Sequence, residues 1–392
     1  MLPKAKTIYF HVDVNSAFLS WTAIQHLANG ETLDLRTVPA VVGGDEEKRH
    51  GVVLAKSIPA KRYGIQTGES LFMARSKYPN LIVAAPDFDW YVKNSKAMIR
   101  IFGDYTPDIE QYSIDEAFLN MTGSEGLFGP PLQAAQTIKD RIHRELGFTV
   151  NIGIAPNRLL AKMASDFEKP DKVHTLFPEE IPTKMWPLSV RDLLFLGKAF
   201  EKKLTEAGIR TIGDMAHVSE SEIQALLGNK AGHQLHQYAL GIDESPVKAK
   251  PEEAKGFSVE TTFNDDIVSV EQVLPILLEQ CDVVTTRMRR KGKKCTSVSV
   301  TFRTLDFKNK SHQTTLSNAT DMTDEIFRNA KKLFTESWKG EPLRLIGVAL
   351  TNLTDESFEQ LSLFEDNEKK ERHRKLDATM DEIRQKFGND KK

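Results

Sequence analysis

Acidic residues at two points of the chain have the surroundings of a divalent-cation site. Asp13 ends an alternating apolar segment, and Asp115 and Glu116 lie in YSIDEAFL, which is apolar on both sides. Carboxylates in such surroundings carry a large desolvation cost unless a positive charge compensates it. Mg²⁺ is the simplest compensation, because it binds a few carboxylates together with substrate phosphates. Two such ions would suit an in-line phosphoryl displacement. Alternatively, Asp13 caps a turn and Asp115 and Glu116 face solvent.

The segments around these carboxylates predict an α/β layer. Residues 7–15 alternate with a period of two, which predicts a strand with Asp13 on the face opposite to the apolar set. Apolar residues recur at helical spacing over residues 132–146 and Gly147 follows as a stop signal. Residues 148–154 alternate again as a strand. A strand, a helix and a strand in this order indicate helices packed on a sheet.

The rest of the chain divides into three kinds of segment. After residue 170, glycines break the pattern into short pieces, which predicts a small helical domain. Residues 243–253 hold two prolines among charges and indicate an exposed linker. Beyond it lies a second α+β unit, whose predicted strands and helices are 296–303 and 345–350, and 268–290 and 321–338. After residue 352 the chain is polar, apart from residues 361–364 and a helical pattern at 371–387.

The composition excludes several classes of protein. The 53 basic and 55 acidic residues leave a net charge of −2 over 392 residues, which excludes a polybasic protein that coats nucleic acid by bulk charge. Hydrophobic residues at 40% and charged residues at 28% predict a soluble globular chain of about two to four domains. Cys281 and Cys295 form neither a disulfide framework nor a metal motif. With no apolar run long enough for a bilayer, we expect a cytoplasmic protein with no membrane partner.

The near-neutral total still leaves room for a local basic surface that binds nucleic acid through its phosphates. Residues 287–310 carry nine basic residues against one acid, Asp306. The alternative is an ordinary solvated surface. The nine residues are Arg287, Arg289, Arg290, Lys291, Lys293, Lys294, Arg303, Lys308 and Lys310.

Ordered motifs give the chain a resemblance to a known family. They are HVDVNSAF (11–18), VGGDEEKRHGVVLAKSIPAKRYGI (42–65), YSIDEAFL (112–119), GIAPNRLLAKMASDFEKP (153–170), YALGIDESPV (238–247), GFSVETTF (256–263) and RLIGVALTNL (344–353). Together they resemble the Y-family translesion DNA polymerases, closest to the bacterial DNA polymerase IV/UmuC-like branch. The resemblance covers nearly the whole chain.

The resemblance implies a fold and a domain order. The fold would be a multidomain α+β right hand with a ferredoxin-like palm, small fingers, a helical helix-hairpin-helix thumb and an α+β little finger. The boundaries would be palm at 1–16 and 84–178, fingers at 17–83, thumb at 179–241, linker at 242–253, little finger at 254–353 and tail at 354–392. The implied activity is low-fidelity, template-directed DNA synthesis in damage tolerance. The chain would act as a monomer on primer-template DNA and dNTPs.

The resemblance also implies roles for the acidic residues. Asp13 and Asp115 would bridge two Mg²⁺ ions. Glu116 would help to hold the ion nearest the primer 3′-hydroxyl, and the Val14 carbonyl would complete the other site. The metals would lower the pKa of the attacking hydroxyl and neutralise charge on the transferring phosphoryl group.

Other positions would contact the nucleotide. Phe18 matches the steric gate, a ring that fills the space a ribose 2′-hydroxyl needs, and its alternative is a plain core aromatic. Lys162 matches a triphosphate-binding lysine, and its alternative is an exposed helix lysine. Ala17 and Lys61 would also line the nucleotide site.

The sequence departs from the family pattern at three positions. Ile58 and Lys61 stand where most polymerase IV relatives have a tyrosine and an arginine, so a hydrogen-bond donor and a bidentate fork are absent. Phe195 replaces the first glycine of the thumb hairpin, which predicts a looser approach to DNA. Gly197 and Lys198 would still contact a phosphate there. The alternative for the neighbouring lysines is a solvated helix face.

The tail contains an apolar string in polar surroundings. Gln360, Leu361, Leu363 and Phe364 belong to QLSLF, which resembles the bacterial sliding-clamp-binding motif. Exposed apolar side chains in a tail gain free energy only from a pocket, which favours a partner protein. The alternative is that the string packs back on its own domain.

Two other functions fit parts of the sequence. One is a non-catalytic DNA- and clamp-binding accessory protein of the same fold, which the departures at Ile58 and Phe195 would suit. The other is a different two-metal palm enzyme such as a nucleotide cyclase. The predicted thumb, basic stretch and clamp motif disfavour a cyclase, because a cyclase needs no duplex.

Overall fold

The structure is a computed structural model that describes residues 7–45, 51–249, 253–355 and 367–387. These residues form two compact units. The N-terminal unit comprises residues 7–44 and 51–249, and the C-terminal unit comprises residues 253–355 and 367–387. Each unit buries apolar side chains of its own.

The N-terminal unit contains two β-sheets. The larger sheet has the strand order β5-β6-β1-β7-β8 and the smaller one has the order β3-β2-β4. Pairing is antiparallel except between β7 and β8 and between β2 and β4. The strands are β1 (Tyr9–Val14), β2 (Ala40–Gly43), β3 (Val53–Lys56), β4 (Ile82–Ala84), β5 (Ile109–Gln111), β6 (Glu116–Asn120), β7 (Val150–Ala155) and β8 (Val173–Thr175).

Helices connect many of these strands, and four more follow the last of these strands in the chain. They are α1 (Ala17–Ala28), α2 (Ile58–Arg62), α3 (Leu71–Lys77), α4 (Phe88–Gly103), α5 (Glu125–Phe128), α6 (Pro131–Leu146), α7 (Arg158–Ser165), α8 (Lys198–Glu206), α9 (Ile212–His217), α10 (Glu220–Leu227) and α11 (Asn229–Ala239). The predicted helix at 132–146 is confirmed as α6. Gly147 ends it with φ +79°, a left-handed conformation that suits glycine.

The central strand β1 is buried on both faces. Phe10 and Val12 pack into the core with Ile138 of α6, as the alternation predicted. His11 and Asp13, on the opposite face, are also buried, because α7 packs across that side of the sheet. The alternation indicates which face is apolar but contains no signal that the polar face is covered.

Helix α1 packs against both sheets of the N-terminal unit. The predicted boundary between palm and fingers, at residues 16 and 17, lies at the start of this shared helix. Trp21 packs beneath the larger sheet, whereas Leu19 and Ala23 pack against the smaller one. Ala84, expected to begin the second palm segment, ends a strand of the smaller sheet by pairing with Val42.

The first part of the predicted linker is held by hydrogen bonds. The Asn157 side-chain amide donates to the Gly241 carbonyl at 2.8 Å. The Asp243 carboxylate accepts from the Leu159 N–H at 3.1 Å, in the first turn of α7. Residues 242–248 carry no helix or strand.

The C-terminal unit is the predicted second α+β unit. Its sheet is antiparallel with the order β11-β10-β12-β9, and two helices pack on one face of it. The elements are β9 (Gly256–Ile267), α12 (Val270–Arg289), β10 (Lys294–Thr304), β11 (Asn309–Thr320), α13 (Thr323–Ser337), β12 (Leu343–Thr354) and α14 (Asn367–Phe387). The strands predicted at 296–303 and 345–350 and the helices predicted at 268–290 and 321–338 are confirmed.

The last helix docks on this unit through charged side chains. Asp377 accepts a hydrogen bond from the Thr323 N–H at 3.0 Å and so caps α13, whose own N-cap residue makes no side-chain cap. Arg384 pairs with Asp282 of α12. The helix predicted at 371–387 is confirmed as α14, whereas residues 360–364 lie outside the described residues. None of the described helices has the length and hydropathy to cross a bilayer.

Candidate active site

Asp13 and Glu116 are direct neighbours in the larger sheet. Asp13 in β1 is the register partner of Glu116, the first residue of β6. Asp115 precedes that strand, and its main-chain carbonyl accepts a hydrogen bond from the Val14 N–H at 3.1 Å. The sheet therefore brings the three predicted carboxylate residues to the same end of two adjacent strands. Asp13 does not cap a turn there, since it lies within the ladder.

Asp13 is a buried carboxylate with one cationic partner. The residue is 8% exposed, and the Lys169 ammonium forms an ion pair with Oδ2. Burial raises the pKa of Asp13 to about 6, although Lys169 opposes the shift, and the neighbouring charges of Glu116 and Asp166 add to it. A raised pKa shows that the surroundings supply less positive charge than a buried anion needs.

Glu116 has a lysine partner as well. The Lys162 ammonium lies 2.6 Å from Glu116 Oε1 and 5.4 Å from the centre of the Tyr112 ring. Lys162 is 9% exposed, so the alternative of an exposed helix lysine is wrong. Asp115 accepts instead from the Ser113 hydroxyl at 2.6 Å. Two of the three carboxylates are thus neutralised by lysines, and the third accepts from a hydroxyl group.

Lys169 was not predicted as a site residue. It lies in the segment between α7 and β8 and also pairs with Asp166 at 2.8 Å. Lysine between acids is common in loops, so no local signal singles it out. Only the fold shows that this loop returns to the end of β1.

Two features seat helix α7, which carries Lys162, on the sheet. The Asn157 side chain caps the helix by accepting from the Leu160 N–H at 2.8 Å. Gly153 in β7 lies directly beneath the helix, where an added Cβ would stand 2.9 Å from the Ala164 Cβ and would collide with the Ala161 carbonyl. Glycine is therefore required for this close approach.

A buried histidine ties the same helix to β1. His11 Nδ1 lies 2.7 Å from the Ser165 hydroxyl, which itself donates to the Lys162 carbonyl at 2.8 Å. The hydroxyl has one proton, so His11 is the donor at Nδ1. Burial, reinforced by the charges of Lys162, Lys169 and Arg158, holds the pKa of His11 well below its usual value, and the ring is neutral.

The donor set suits a hard cation. Within the part of the chain that the structure describes, no group of three or more His, Cys, Asp or Glu side chains is gathered as a ready metal site. The carboxylates of Asp13 and Glu116 are instead held by ammonium groups, which are themselves hard cations. Oxygen donors that already attract such cations have the chemistry that Mg²⁺ requires.

Phe18 is the second residue of α1, the helix that follows β1 in the chain. Its ring stacks on Tyr91 with centroids 4.7 Å apart and an interplanar angle of 11°. The ring is half-buried rather than fully enclosed, so the core-aromatic alternative describes it only in part. Ala17, its neighbour in the helix, is buried. Ser16 turns the chain from β1 into α1 with φ +48°.

The predicted nucleotide contacts of the second motif lie on the short helix α2. Ile58 and Lys61 are both exposed there. Burial lowers the pKa of Lys56 in β3, and the nearby charge of Lys61 adds to this shift. Lys56 was not predicted, and its only signal in the sequence is its place before SIPAKR.

The thumb hairpin keeps its turn despite the missing glycine. Phe195 has φ +65°, in the left-handed region that favours glycine, and its side chain is 61% exposed. Gly197 follows as the N-cap of α8, and Lys198 is exposed at the first position of that helix. The turn geometry is thus preserved with backbone strain in Phe195.

Several of the nine basic residues at 287–310 form ion pairs within the C-terminal unit. Arg289 is engaged by Asp377 and Asp381 of α14, so we remove it from the predicted DNA contacts. Lys293 pairs with Glu253 and Asp355.

The basic residues of β10, β11 and the turn between them also have partners nearby. Lys308 pairs with Asp306, Lys310 pairs with Glu341, and Arg303 donates to the Asn309 side chain at 2.6 Å. Arg287, Arg290 and Lys291 are exposed and belong to none of these pairs, and Lys294 is partly buried.

The sheet of the C-terminal unit has a face that none of the described helices covers. Val298, Val300 and Phe302 of β10 point to the helices and are buried, so the alternate residues point the other way. That face is rich in hydroxyl and amide groups, and it carries Ser258, Ser299, Thr301, Ser311 and Gln313. It was not predicted from the sequence, because β11 has few apolar residues to mark it as a strand.

Family models match most of the chain. The model of the impB/mucB/samB family matches residues 12–166, and that of the impB/mucB/samB family C-terminal domain matches residues 254–363. Between them, the model described as DNA polymerase-iota, thumb domain, matches residues 192–243.

Curated relatives match it end to end. The chain is 49% identical over 382 residues to a DNA polymerase IV of Clostridium acetobutylicum, covering 97% of this chain and 96% of the relative. It is 37% identical to a DNA polymerase IV of Alkaliphilus oremlandii, with coverage of 98% and 97%, and 33% identical to DNA polymerase IV 1 of Bacillus subtilis, with coverage of 99% and 92%.

A solved structure shares the fold. The Y-family DNA polymerase chimera Dbh-Dpo4(243-245)-Dbh superimposes with a TM-score of 0.78 at 22% identity, covering 89% of this chain and all of that one. The multidomain α+β polymerase fold expected from the sequence is therefore confirmed. With both its sequence relatives and its fold in agreement, the chain belongs to the Y family of DNA polymerases, in the DNA polymerase IV group.

Proposed function

We propose that the protein extends a primer 3′-hydroxyl by template-directed addition of deoxynucleotides, with Asp13, Asp115, Glu116 and the Val14 carbonyl holding two Mg²⁺ ions. The observation that carries this proposal is the pairing of Asp13 with Glu116 across β1 and β6, each held by a lysine. The bound metals would activate the hydroxyl and neutralise charge on the phosphoryl group. The accessory-protein and cyclase alternatives have no observation in their favour.

The lysines supply positive charge to the triphosphate. Lys162 pairs with Glu116 at 2.6 Å, so its ammonium lies beside the carboxylates proposed to bind the metals. Lys61 and Lys56 add charge from the smaller sheet and its helix. Lysine acts as a point charge and replaces the missing arginine fork without its directionality.

Phe18 selects the sugar in this proposal. Its stacking on Tyr91 fixes the ring, and a fixed ring excludes a 2′-hydroxyl better than a mobile one. Ala17 is small and buried, so it leaves the nucleotide space free. Phe18→Ala should admit ribonucleotides while leaving dNTP incorporation measurable, and unchanged discrimination against rNTPs would contradict this role.

Two surfaces bind the duplex in this proposal. Gly197 and Lys198 approach a phosphate from the thumb. In the C-terminal unit, Arg287, Arg290 and Lys291 provide charge, and the uncovered sheet face provides hydroxyl donors. Contacts of this kind hold DNA of any sequence, as a template-directed enzyme requires.

Residues 360–364 bind the sliding clamp in this proposal, and the protein acts as a cytoplasmic monomer in translesion synthesis. The free thiols Cys281 and Cys295 support a reducing compartment. Leu363→Ala with Phe364→Ala should abolish clamp binding in surface plasmon resonance. The same variant should extend primers normally without the clamp, and retained clamp binding would refute the assignment.

Primer extension with Mg²⁺ tests the catalytic proposal. Asp115→Asn keeps the side-chain volume and should lower the rate by about a hundredfold or more, roughly 3 kcal/mol of transition-state stabilisation. Asp140→Asn, on the exposed surface of α6, is the matched control and should be unchanged. Absence of extension by the wild type with DNA binding intact would overturn the proposal.

A further inference from the structure

Lys169 forms ion pairs with two carboxylates that differ in burial. Its ammonium contacts Asp13, which is buried, and also Asp166, whose side chain is 52% exposed. One partner belongs to the proposed metal site and the other faces solvent. The Lys169 side chain is itself 35% exposed, so it has room to move between them.

The main chain around Lys169 is fixed on both sides. The Asn151 side chain donates to the Glu168 carbonyl at 2.9 Å, and the Asn15 side chain accepts from the Asp171 N–H at 2.9 Å. Both asparagines belong to the ends of β1 and β7 or the turn beside them. The backbone is therefore held by hydrogen bonds on both sides of Lys169.

We propose that Lys169 is the resident counter-ion of Asp13, which an incoming divalent metal displaces and which then pairs with Asp166 alone. The proposal rests on the assignment of Asp13 as a metal ligand. Lys169 is a positioning residue in this scheme, because it acts through Asp13 and Asp166 and not on the substrate.

Electrostatics favours such an exchange. A buried carboxylate that is ionised is stabilised by a nearby cation, and Lys169 supplies one in this structure. An ammonium and a metal ion cannot share the same carboxylate oxygen without repulsion. Because Asp166 is solvated, pairing with it alone leaves Lys169 stabilised at little desolvation cost.

The exchange predicts opposite effects on Mn²⁺ affinity when Lys169 and when Asp166 is replaced. Lys169→Gln removes the competitor and should tighten Mn²⁺ binding by roughly fivefold, the equivalent of one partly buried ion pair. Asp166→Asn removes the second partner, leaves Lys169 on Asp13 and should weaken Mn²⁺ binding.

The experiment is an electron paramagnetic resonance titration of the full chain with Mn²⁺, without DNA or nucleotide. Lys172→Gln is the matched control, since Lys172 lies in the same segment and pairs only loosely with Glu168 at 3.8 Å. It removes the same charge without touching Asp13. Equal effects of Lys169→Gln and Lys172→Gln would overturn the proposal.

The double variant separates competition from general charge effects. In a Lys169→Gln background, Asp166→Asn should lose most of its effect on Mn²⁺ affinity, and an unchanged effect would also overturn the proposal.

Asp13→Asn tests the underlying site separately. If this variant binds Mn²⁺ as the wild type does, the metal assignment itself fails. If it loses Mn²⁺ but Lys169→Gln matches its control, only the counter-ion proposal fails. Asp166→Asn changes an exposed group, so it remains informative even if Lys169→Gln is unstable.

Discussion

Gly153 in β7 lies so close to Ala161 in α7 that a side chain at Gly153 would collide with the Ala161 carbonyl oxygen. Gly153 is also the register partner of His11, two residues from Asp13. This close approach sets the distance between the helix that carries Lys162 and the strand that carries Asp13. A main-chain oxygen cannot rotate away as a side chain can, so the position tolerates only glycine.

Gly153→Ala should therefore destabilise the N-terminal unit and impair synthesis. Overpacking of this kind costs about 1–3 kcal/mol, and the lifted helix would withdraw Lys162 from Glu116. Urea unfolding and the KM for dNTP measure the two effects. Gly126→Ala is the control, because a Cβ there meets no atom within 4 Å. An unchanged KM in a folded Gly153→Ala variant would contradict this role.

The sequence predicted some parts of this site better than others. Alternation placed Asp13 on the polar face of β1, and the motif around Glu116 marked the neighbouring strand. Lys169 was not predicted, because it pairs with a residue far away in the chain. The loop after α7 brings it to Asp13. Pairing across such distances depends on tertiary structure, which no local pattern encodes.

The C-terminal unit shows the same limit. Apolar periodicity predicted α12, α13, β10 and β12, because each buries one face in the core. Strand β11 has few apolar residues, since one of its faces is uncovered and it lies at the sheet edge. The count of basic residues at 287–310 took no account of ion pairs with distant acids. The acids that engage Arg289 stand about 90 residues later, in α14.

Arg289 should matter for the docking of α14 more than for DNA. Arg289→Met keeps the aliphatic stem and removes the ion pairs with Asp377 and Asp381. Hydrogen exchange in α14 should accelerate, while DNA affinity in filter binding changes little. A fall in DNA affinity as large as that of the comparison variant below would contradict the assignment.

The exposed basic residues of α12 and the following turn provide that comparison. Replacing Arg287, Arg290 and Lys291 by glutamine should weaken binding to DNA of any sequence. The slope of log affinity against log salt should become shallower by about 0.9 for each phosphate that the protein no longer neutralises. Hydrogen exchange in α14 should remain as in the wild type. An unchanged salt slope would remove these residues from the DNA surface.

The cysteines should report unfolding of the C-terminal unit. Cys281 and Cys295 are fully buried, and burial raises the pKa of each thiol to about 12. The thiolate is the reactive form, so labelling with a disulfide reagent should be slow even at about pH 9.5, where a free thiol with pKa about 8.5 is mostly ionised. In urea both thiols should react. Rapid labelling of the native protein would contradict this burial.

The raised thiol pKa also makes the stability of this unit depend on pH. A thiol that holds its proton more tightly in the folded state stabilises that state fully below the unfolded pKa of about 8.5. This contribution falls as the pH rises from there toward 12. Stability of the C-terminal unit should thus decline at alkaline pH. Cys281→Ala and Cys295→Ala together should make that decline smaller.

Phe195 should be replaceable by glycine with a gain in stability. At φ +65° a phenylalanine carries backbone strain of about 1 kcal/mol, which glycine would relieve. The ring is 61% exposed, so little packing disappears beyond its approach to Tyr238, with ring centroids 6.3 Å apart. We expect removal of the ring to ease the approach of a phosphate to the N–H groups near Gly197. Phe195→Gly should therefore bind primer-template DNA more tightly and gain stability.

Phe195→Ala distinguishes the two effects. Alanine removes the ring but keeps a Cβ in the left-handed conformation, so it should improve DNA binding without the gain in stability. Thermal unfolding and fluorescence-anisotropy titration with a primer-template duplex measure the pair. Tighter binding by both variants would identify the ring as the obstacle. Weaker binding by both would show instead that Phe195 itself contacts the duplex.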